Sequence, residues 1–163
     1  VALLTYTTYD DIRAALGVSS DEIEDATLSL ALYELNLISE FEDIDLTLES
    51  TYATVSALSS RTEVQERFLQ ATRLFSTYAV AYQATTSLPL FSPKDISDGK
   101  AVVSRYADSP YKEVIKKVEQ LYGKYKARLE AALAANNAGS APSIVPLPYF
   151  TVSVPDSDPV TGT

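Results

Sequence analysis

Residues 62–86 read TEVQERFLQATRLFSTYAVAYQATT. Within them Val64, Phe68, Ala71, Phe75, Tyr78 and Tyr82 recur at steps of three or four, the spacing of one stripe on an α-helix and not of an extended strand. Thr62 with Gln65 three residues on makes a capping box, in which hydroxyl and amide satisfy backbone donors that the first turn leaves unpaired. At about 1.5 Å per residue the helix spans about 37 Å, more than the roughly 30 Å of a small domain. Such a helix is read as the central member of a bundle.

C-terminal to it, SLPLFSPK (87–94) carries two prolines that forbid continuation, and Leu88, Leu90 and Phe91 mark a partly buried loop. In DISDGKAVVSR (95–105) the Asp98-Gly99 turn signal and the run 101–103 allow a hairpin, but a packed loop is preferred. The single Gly99-Lys100 pair lacks the glycine-rich run of a phosphate-binding loop. Ser109-Pro110 then starts a helix expected to end near Ala135. Tyr111, Val114, Ile115, Val118, Leu121, Tyr122, Tyr125, Leu129 and Leu133 form its apolar stripe, with lysines on the other faces. Because the tyrosines share that stripe, core packing is preferred to a nucleic-acid contact.

On the N-terminal side, Thr8 and Asp11 cap a short helix, residues 9–16, that Gly17 ends in the left-handed conformation. Ser19 and Glu22 form a second capping box. From it one helix is expected to run to Phe41, burying Ile23, Ala26, Leu30, Leu37 and Phe41 on one face and Leu28, Leu32 and Leu35 on another. EFEDIDLTLES (40–50) loses the helical period and reads as a loop with a short extended piece. Asp43, Asp45 and Glu49 lack the fixed offsets and glycine of a calcium loop, so a solvated acidic face is preferred and no metal site is assigned. Residues 52–58 read as a short helix.

The last 27 residues, NAGSAPSIVPLPYFTVSVPDSDPVTGT (137–163), hold five prolines and no helical period. Asn136, Asn137 and Gly139 are expected to stop the preceding helix, which sets the domain division: a helical bundle domain, 1–136, and an extended C-terminal arm, 137–163. Its apolar residues need burial and the arm is too short to bury them itself, so it is expected to dock on another surface, partly by strand addition. The docking residues are Pro146, Leu147, Pro148, Tyr149, Phe150, Val152 and Val154. The fold class is therefore mainly α, a bundle of about four helices with a Pro-rich arm.

With 163 residues the chain supports one sizeable core. It contains no Cys and no His, which removes disulfides, thiolate chemistry, cysteine zinc sites and the Ser-His and Cys-His nucleophile pairs. Paired carboxylates of the glycosidase kind remain formally open, but the acids sit at helix starts and on one loop, so no catalytic residue and no cofactor is assigned. No apolar run approaches the roughly 20 residues of a membrane span and no export signal is recognised, so a soluble protein is expected. The net charge is −9, but it is unevenly spread. Residues 1–60 hold twelve acids and one base, and residues 61–136 eight acids and twelve bases. Two readings stay open: the halves neutralise each other within one chain, or an acidic face of one copy meets a basic face of the next.

Three stretches carry a resemblance to the head-to-tail adaptor (head completion, or connector) proteins of tailed bacteriophages. They are YTTYDDIRAALGVSSDEIEDATLSLALYEL at the start, LPLFSPKDISDGKAVVSRY in the middle, and the closing helix followed by its arm; as a pattern the likeness covers most of residues 1–135. It implies a non-enzymatic structural subunit of the virion neck, assembled in the host cytoplasm, that forms a homo-oligomeric ring, usually of twelve copies, under the portal. The arm would grip the portal protein or a neighbour, the lower face would receive the next neck or tail protein, and DNA would pass only as cargo, with no membrane involved. The residues assigned to the subunit boundary are Lys112, Lys116 and Lys117 against Glu40, Glu42 and Asp43. The alternative is a non-viral helical protein-binding or regulatory module that uses its arm as a ligand.

Overall fold

The computed structural model describes residues 3–85, 95–97, 102–104 and 112–140. The protein is mainly helical. In chain order the described elements are α1 (Leu3–Tyr6), α2 (Tyr9–Leu16), α3 (Asp25–Leu28), α4 (Ala31–Ile44), α5 (Leu48–Ser56), α6 (Glu63–Ala84), β1 (Asp95–Ser97), β2 (Val102–Ser104) and α7 (Lys112–Ser140). Among the described residues seven helices thus stand where about four were expected, because the N-terminal half is divided more finely than its periodicity suggests.

The central helix forms as read. Thr62 Oγ1 accepts from the Gln65 backbone N–H, and the Gln65 side chain accepts from the Thr62 N–H, closing the capping box. Phe68, Ala71 and Phe75 are fully buried, whereas Val64 and Tyr82, at the two ends of the stripe, are 40% and 38% exposed. The helix is covered more broadly than one stripe, since Thr72, Ser76, Thr77, Ala79, Val80 and Ala81 are buried too. Its buried hydroxyls are satisfied locally: Thr72 donates to Phe68 O and Ser76 to Thr72 O, while Thr77 Oγ1 lies 2.7 Å from Thr7 Oγ1.

Helix α2 also matches its expectation, with Thr8 accepting from the Asp11 N–H and Gly17 in the left-handed region at φ 72°. The next segment does not. Glu22 does accept from the Ser19 N–H and hydroxyl, but it closes only a turn. The chain then makes the short α3, breaks at Ser29 and Leu30, and restarts as α4 with Leu30 in extended conformation. The break resets the helical phase. The buried series becomes Tyr33, Leu37 and Phe41, one residue per helical turn, while Ala26, Leu30, Leu32 and Leu35 point outward. Leu28, expected on the same second face as Leu32 and Leu35, is instead buried with Ile23.

Residues 40–50 are likewise corrected. Helix α4 continues through Ile44, α5 starts at Leu48, and the loop between them is a tight turn in which Asp45 accepts from the Thr47 N–H (2.7 Å) and hydroxyl (2.6 Å). The helix expected at 52–58 is therefore α5, displaced toward the N-terminus. Further on, β1 and β2 pair antiparallel, Ile96 opposite Val103, so the hairpin forms and not the preferred loop. Helix α7 passes through Asn136, Asn137 and Gly139 to end at Ser140, five residues beyond the expected stop. Asn136 is buried on the same face as Leu129 and Leu133, and that packing outweighs the low helix propensity of the sequence. The Ser109-Pro110 start, the loop 87–94 and the arm from 141 onward lie outside the described residues.

An aromatic chain joins the helices. Tyr52 meets Tyr6 at 4.9 Å between ring centroids, Tyr6 meets Phe41 edge-on at 4.9 Å, Phe41 meets Phe75 at 6.1 Å, and Phe75 meets Tyr122 at 5.7 Å. Five helices, α5, α1, α4, α6 and α7, are linked by that single run of rings, each pair contributing roughly 0.5–1.5 kcal/mol beyond the area it buries.

Candidate interaction surface

Helices α6 and α7 pack antiparallel. Tyr78 stacks on Tyr125 at 5.0 Å and Tyr82 on Tyr122 at 5.3 Å, so moving up α6 means moving down α7. The tyrosines of α7 are thus used for packing within the chain, as their shared stripe implied. The pairing of tyrosine with tyrosine was not foreseen, although both stripes carry the residues for it.

The charged residues separate into those consumed inside the chain and those left outside. Glu40, on α4, accepts from the Tyr122 hydroxyl at 2.6 Å and from Lys126 Nζ at 3.3 Å. One of the three acids assigned to a subunit boundary is therefore held by its own chain. Glu42 and Asp43 are exposed, as are Lys112, Lys116 and Lys117 on α7. None of these five forms an ion pair among the described residues. Asp11 and Arg73 add a second internal bridge between the acidic and basic parts, at 2.6 Å between α2 and α6. The hydrogen bond from Arg73 holds the Asp11 carboxyl below its ordinary value, so the bridge stabilises above the usual carboxylate range and is lost as pH falls.

Arg13 is the functional-looking residue that sequence reading passed over. It is the only base in the first 60 residues, and that isolation was the available signal. Its buried guanidinium donates to Ile23 O at 2.8 Å, to Asp10 at 3.0 Å and to Asp25, tying α2 to the start of α3. With every branch of its fork engaged, its role is to hold the N-terminal segment. The acids of the 40–50 region are similarly spent: Asp45 closes its turn and Glu49 accepts from the Tyr6 hydroxyl at 3.0 Å. Among the described residues no group of three acidic side chains is placed to hold a metal ion.

Two concavities are present among the described residues. One, of ≈ 260 Å³, lies between α2 and α6, with the Asp11–Arg73 bridge at its edge. The other, of ≈ 810 Å³, lies between the starts of α4 and α7 and the end of α6. Leu30, Leu32, Tyr33, Tyr82 and Ile115 form its apolar walls, and Asn36 donates to Gln83 Oε1 (3.3 Å) within it. Leu30 and Leu32 are 55% and 62% exposed, and Leu35, on the same outward side of α4, is 63% exposed. Three large leucines clustered at one end of a small protein form an apolar patch of the sort that proteins cover by association. Among the described residues no nucleophile with an adjacent base lines either concavity. The arm-docking residues, Pro146 to Val154, lie outside the described residues, so the structure does not bring them to any surface. No described helix is long and apolar enough to cross a membrane.

Comparison with protein families, curated proteins and solved structures returns no match. The fold and surface define the class of the chain only as a mainly helical protein with a groove beside exposed leucines and, among the described residues, exposed charges of both signs outside any ion pair.

The pH response follows from two phenols. Burial, and then the hydrogen bonds to Glu49 and Glu40, push the Tyr6 and Tyr122 hydroxyls far above the ordinary tyrosine value. Each folded value exceeds the unfolded one, so the contribution is complete below about pH 10 and is lost as pH rises from there toward the folded values. Tyr122→Phe removes one of these titrations. The variant is expected to be less stable at pH 7 by about 1.5–3 kcal/mol, the worth of a hydrogen bond to a charged group, and to lose less stability than the parent between pH 10 and 12. Urea unfolding at both pH values checks this; an unchanged alkaline loss counts against it.

Proposed function

We propose that the chain is a structural head-to-tail adaptor subunit of a tailed bacteriophage, acting by contact and not by turnover. On this reading the described helices form a helical-bundle body, copies of which assemble as a ring, of twelve subunits by the family pattern, beneath the portal. The ring joins the capsid to the next neck or tail protein, with DNA passing through it as cargo. The observation that carries the reading is the exposed leucine patch of Leu30, Leu32 and Leu35 beside the groove between α4, α6 and α7. A stable monomer gains nothing from such a patch, whereas an assembling subunit buries it. Exposed Glu42 and Asp43, and exposed Lys112, Lys116 and Lys117, supply the opposite charges that a head-to-tail joint requires.

Light scattering and negative-stain electron microscopy of the purified chain, alone and mixed with a portal protein, test the proposal. Closed rings in either sample are the expected result. A monomer in both, at concentrations well above those of an infected cell, overturns it.

The charge joint carries its own prediction. Lys116→Glu with Lys117→Glu is expected to weaken ring formation roughly tenfold at low ionic strength. The deficit should shrink as added salt shortens the Debye length from about 10 Å at 0.1 M to about 3 Å at 1 M. Sedimentation at the two salt concentrations reads it out, and equal assembly of variant and parent at low salt removes these lysines from the joint.

A further inference from the structure

We infer that the groove between α4, α6 and α7 receives the proline-containing arm of a second copy of this chain, residues 144–150, IVPLPYF. The inference rests on the assembly reading above and names the joint that the reading leaves open.

Chemistry selects the occupant. The groove is walled by Leu30, Leu32, Ile115 and two tyrosines, Tyr33 and Tyr82, with the polar Thr27, Asn36, Gln83, Thr85 and Glu119 between them, and among the described residues no strand edge lines it. A guest there must bring apolar bulk to cover Leu30, Leu32 and Ile115 and few backbone donors along that side, because a donor set against those side chains finds no partner. Pro146 and Pro148 lack an N–H, and they alternate with Val145, Leu147 and Tyr149. Proline-rich segments recognised through aromatic-lined grooves use this combination.

Reach selects which copy supplies it. The groove touches α7 at Ile115 and Glu119, near the start of that helix, and the arm leaves from Ser140 at its other end. At about 1.5 Å per residue, Ser140 lies about 32 Å along the axis from Glu119 and about 37 Å from Ile115. A fully extended chain covers at most about 3.6 Å per residue, so Leu147 reaches no more than about 25 Å from Ser140 and Pro148 about 29 Å. The near end of the groove is Tyr82, stacked on Tyr122 about 27 Å from Ser140; within one chain, then, Ile144 to Leu147 fall short even of that end along a straight path, and the segment 144–150 does not seat as a whole. The arm of a neighbour meets no such limit. Because the chain continues into the arm from the end of α7 farther from the groove, each copy can offer one of each to a different neighbour, a heterologous contact that closes into a ring when the rotation permits.

Complementation between two full-length variants tests the joint. In one, Leu30→Glu and Leu32→Glu block the groove; both leucines are exposed, so folding is not at stake. In the other, Leu147→Asp and Phe150→Asp block the arm. Matching thermal melts by circular dichroism establish that both fold. Each alone is expected to lose self-association by about a hundredfold or more, as when the central residues of an interface are removed. Mixed in equal amounts, they are expected to form a one-to-one dimer that grows no further, since one intact arm and one intact groove remain. If the parent assembles while the mixture stays monomeric, the groove has another occupant, the chain's own segment included, and this inference falls while the assembly reading stands. If either variant alone assembles like the parent, the inference falls as well. If the parent itself stays monomeric with and without portal protein, the assembly reading falls and the inference with it.

Discussion

Phe75→Ala is expected to destabilise the protein by about 3–5 kcal/mol, the range for truncating a buried phenylalanine that cannot be fully replaced by collapse. Phe75 has no exposed surface, and its ring stands between Phe41 on α4 and Tyr122 on α7. Removing it opens the aromatic chain at its centre and leaves a cavity that three helices share. Against the roughly 5–15 kcal/mol of a typical domain, the loss is a large fraction of the total. Urea unfolding should show a much lower midpoint with an unchanged slope, whereas Phe75→Leu, which keeps most of the volume, should cost about 1.5 kcal/mol or less. Equal costs for the two substitutions would mean that the ring contacts and cavity are not what this position contributes.

Truncation after Ser140 is the second large effect, and it acts on assembly and not on folding. Residues 141–163 carry Ile144, Val145, Leu147, Tyr149, Phe150, Val152 and Val154 without enough chain to bury them. Removing them is expected to leave a monomer by light scattering, with a melting transition close to that of the parent. The cut must follow Ser140. A cut after 136, where sequence reading ends the helix, would remove the last turn of α7 beside the buried Asn136 and confound the two effects. Undiminished ring formation by the truncated protein would remove the arm from the joint altogether.

Legibility varied along the chain for physical reasons. Helices α2 and α6 were readable to within two residues because each combines a local capping signal with a stripe, and both signals depend only on neighbours in sequence. The break between α3 and α4 was not readable. DATLSLALYEL is rich enough in leucine to support a helix in several phases, and which leucines turn inward depends on what α6 presents to them. Residues 40–50 were misread because charged residues on the outer face of α4 hid its period, while Phe41 and Leu48 were already the buried anchors. Of the candidate surface, the acids and lysines were identifiable as charged and exposed. That Glu40 belongs to Tyr122 and Lys126, more than 80 positions away, was not.

The sequence by itself determined the helical character of the protein, its central helix with both caps of α2 and the box of α6, and the absence of cysteine and histidine chemistry. These follow from local spacing and composition. Tertiary structure alone decided where the N-terminal helices break, which leucines are left facing outward, which acid is spent within the chain, and that a groove forms between α4, α6 and α7. Those outcomes depend on which elements meet, and a stripe of apolar residues states only that a face must be covered, not by what.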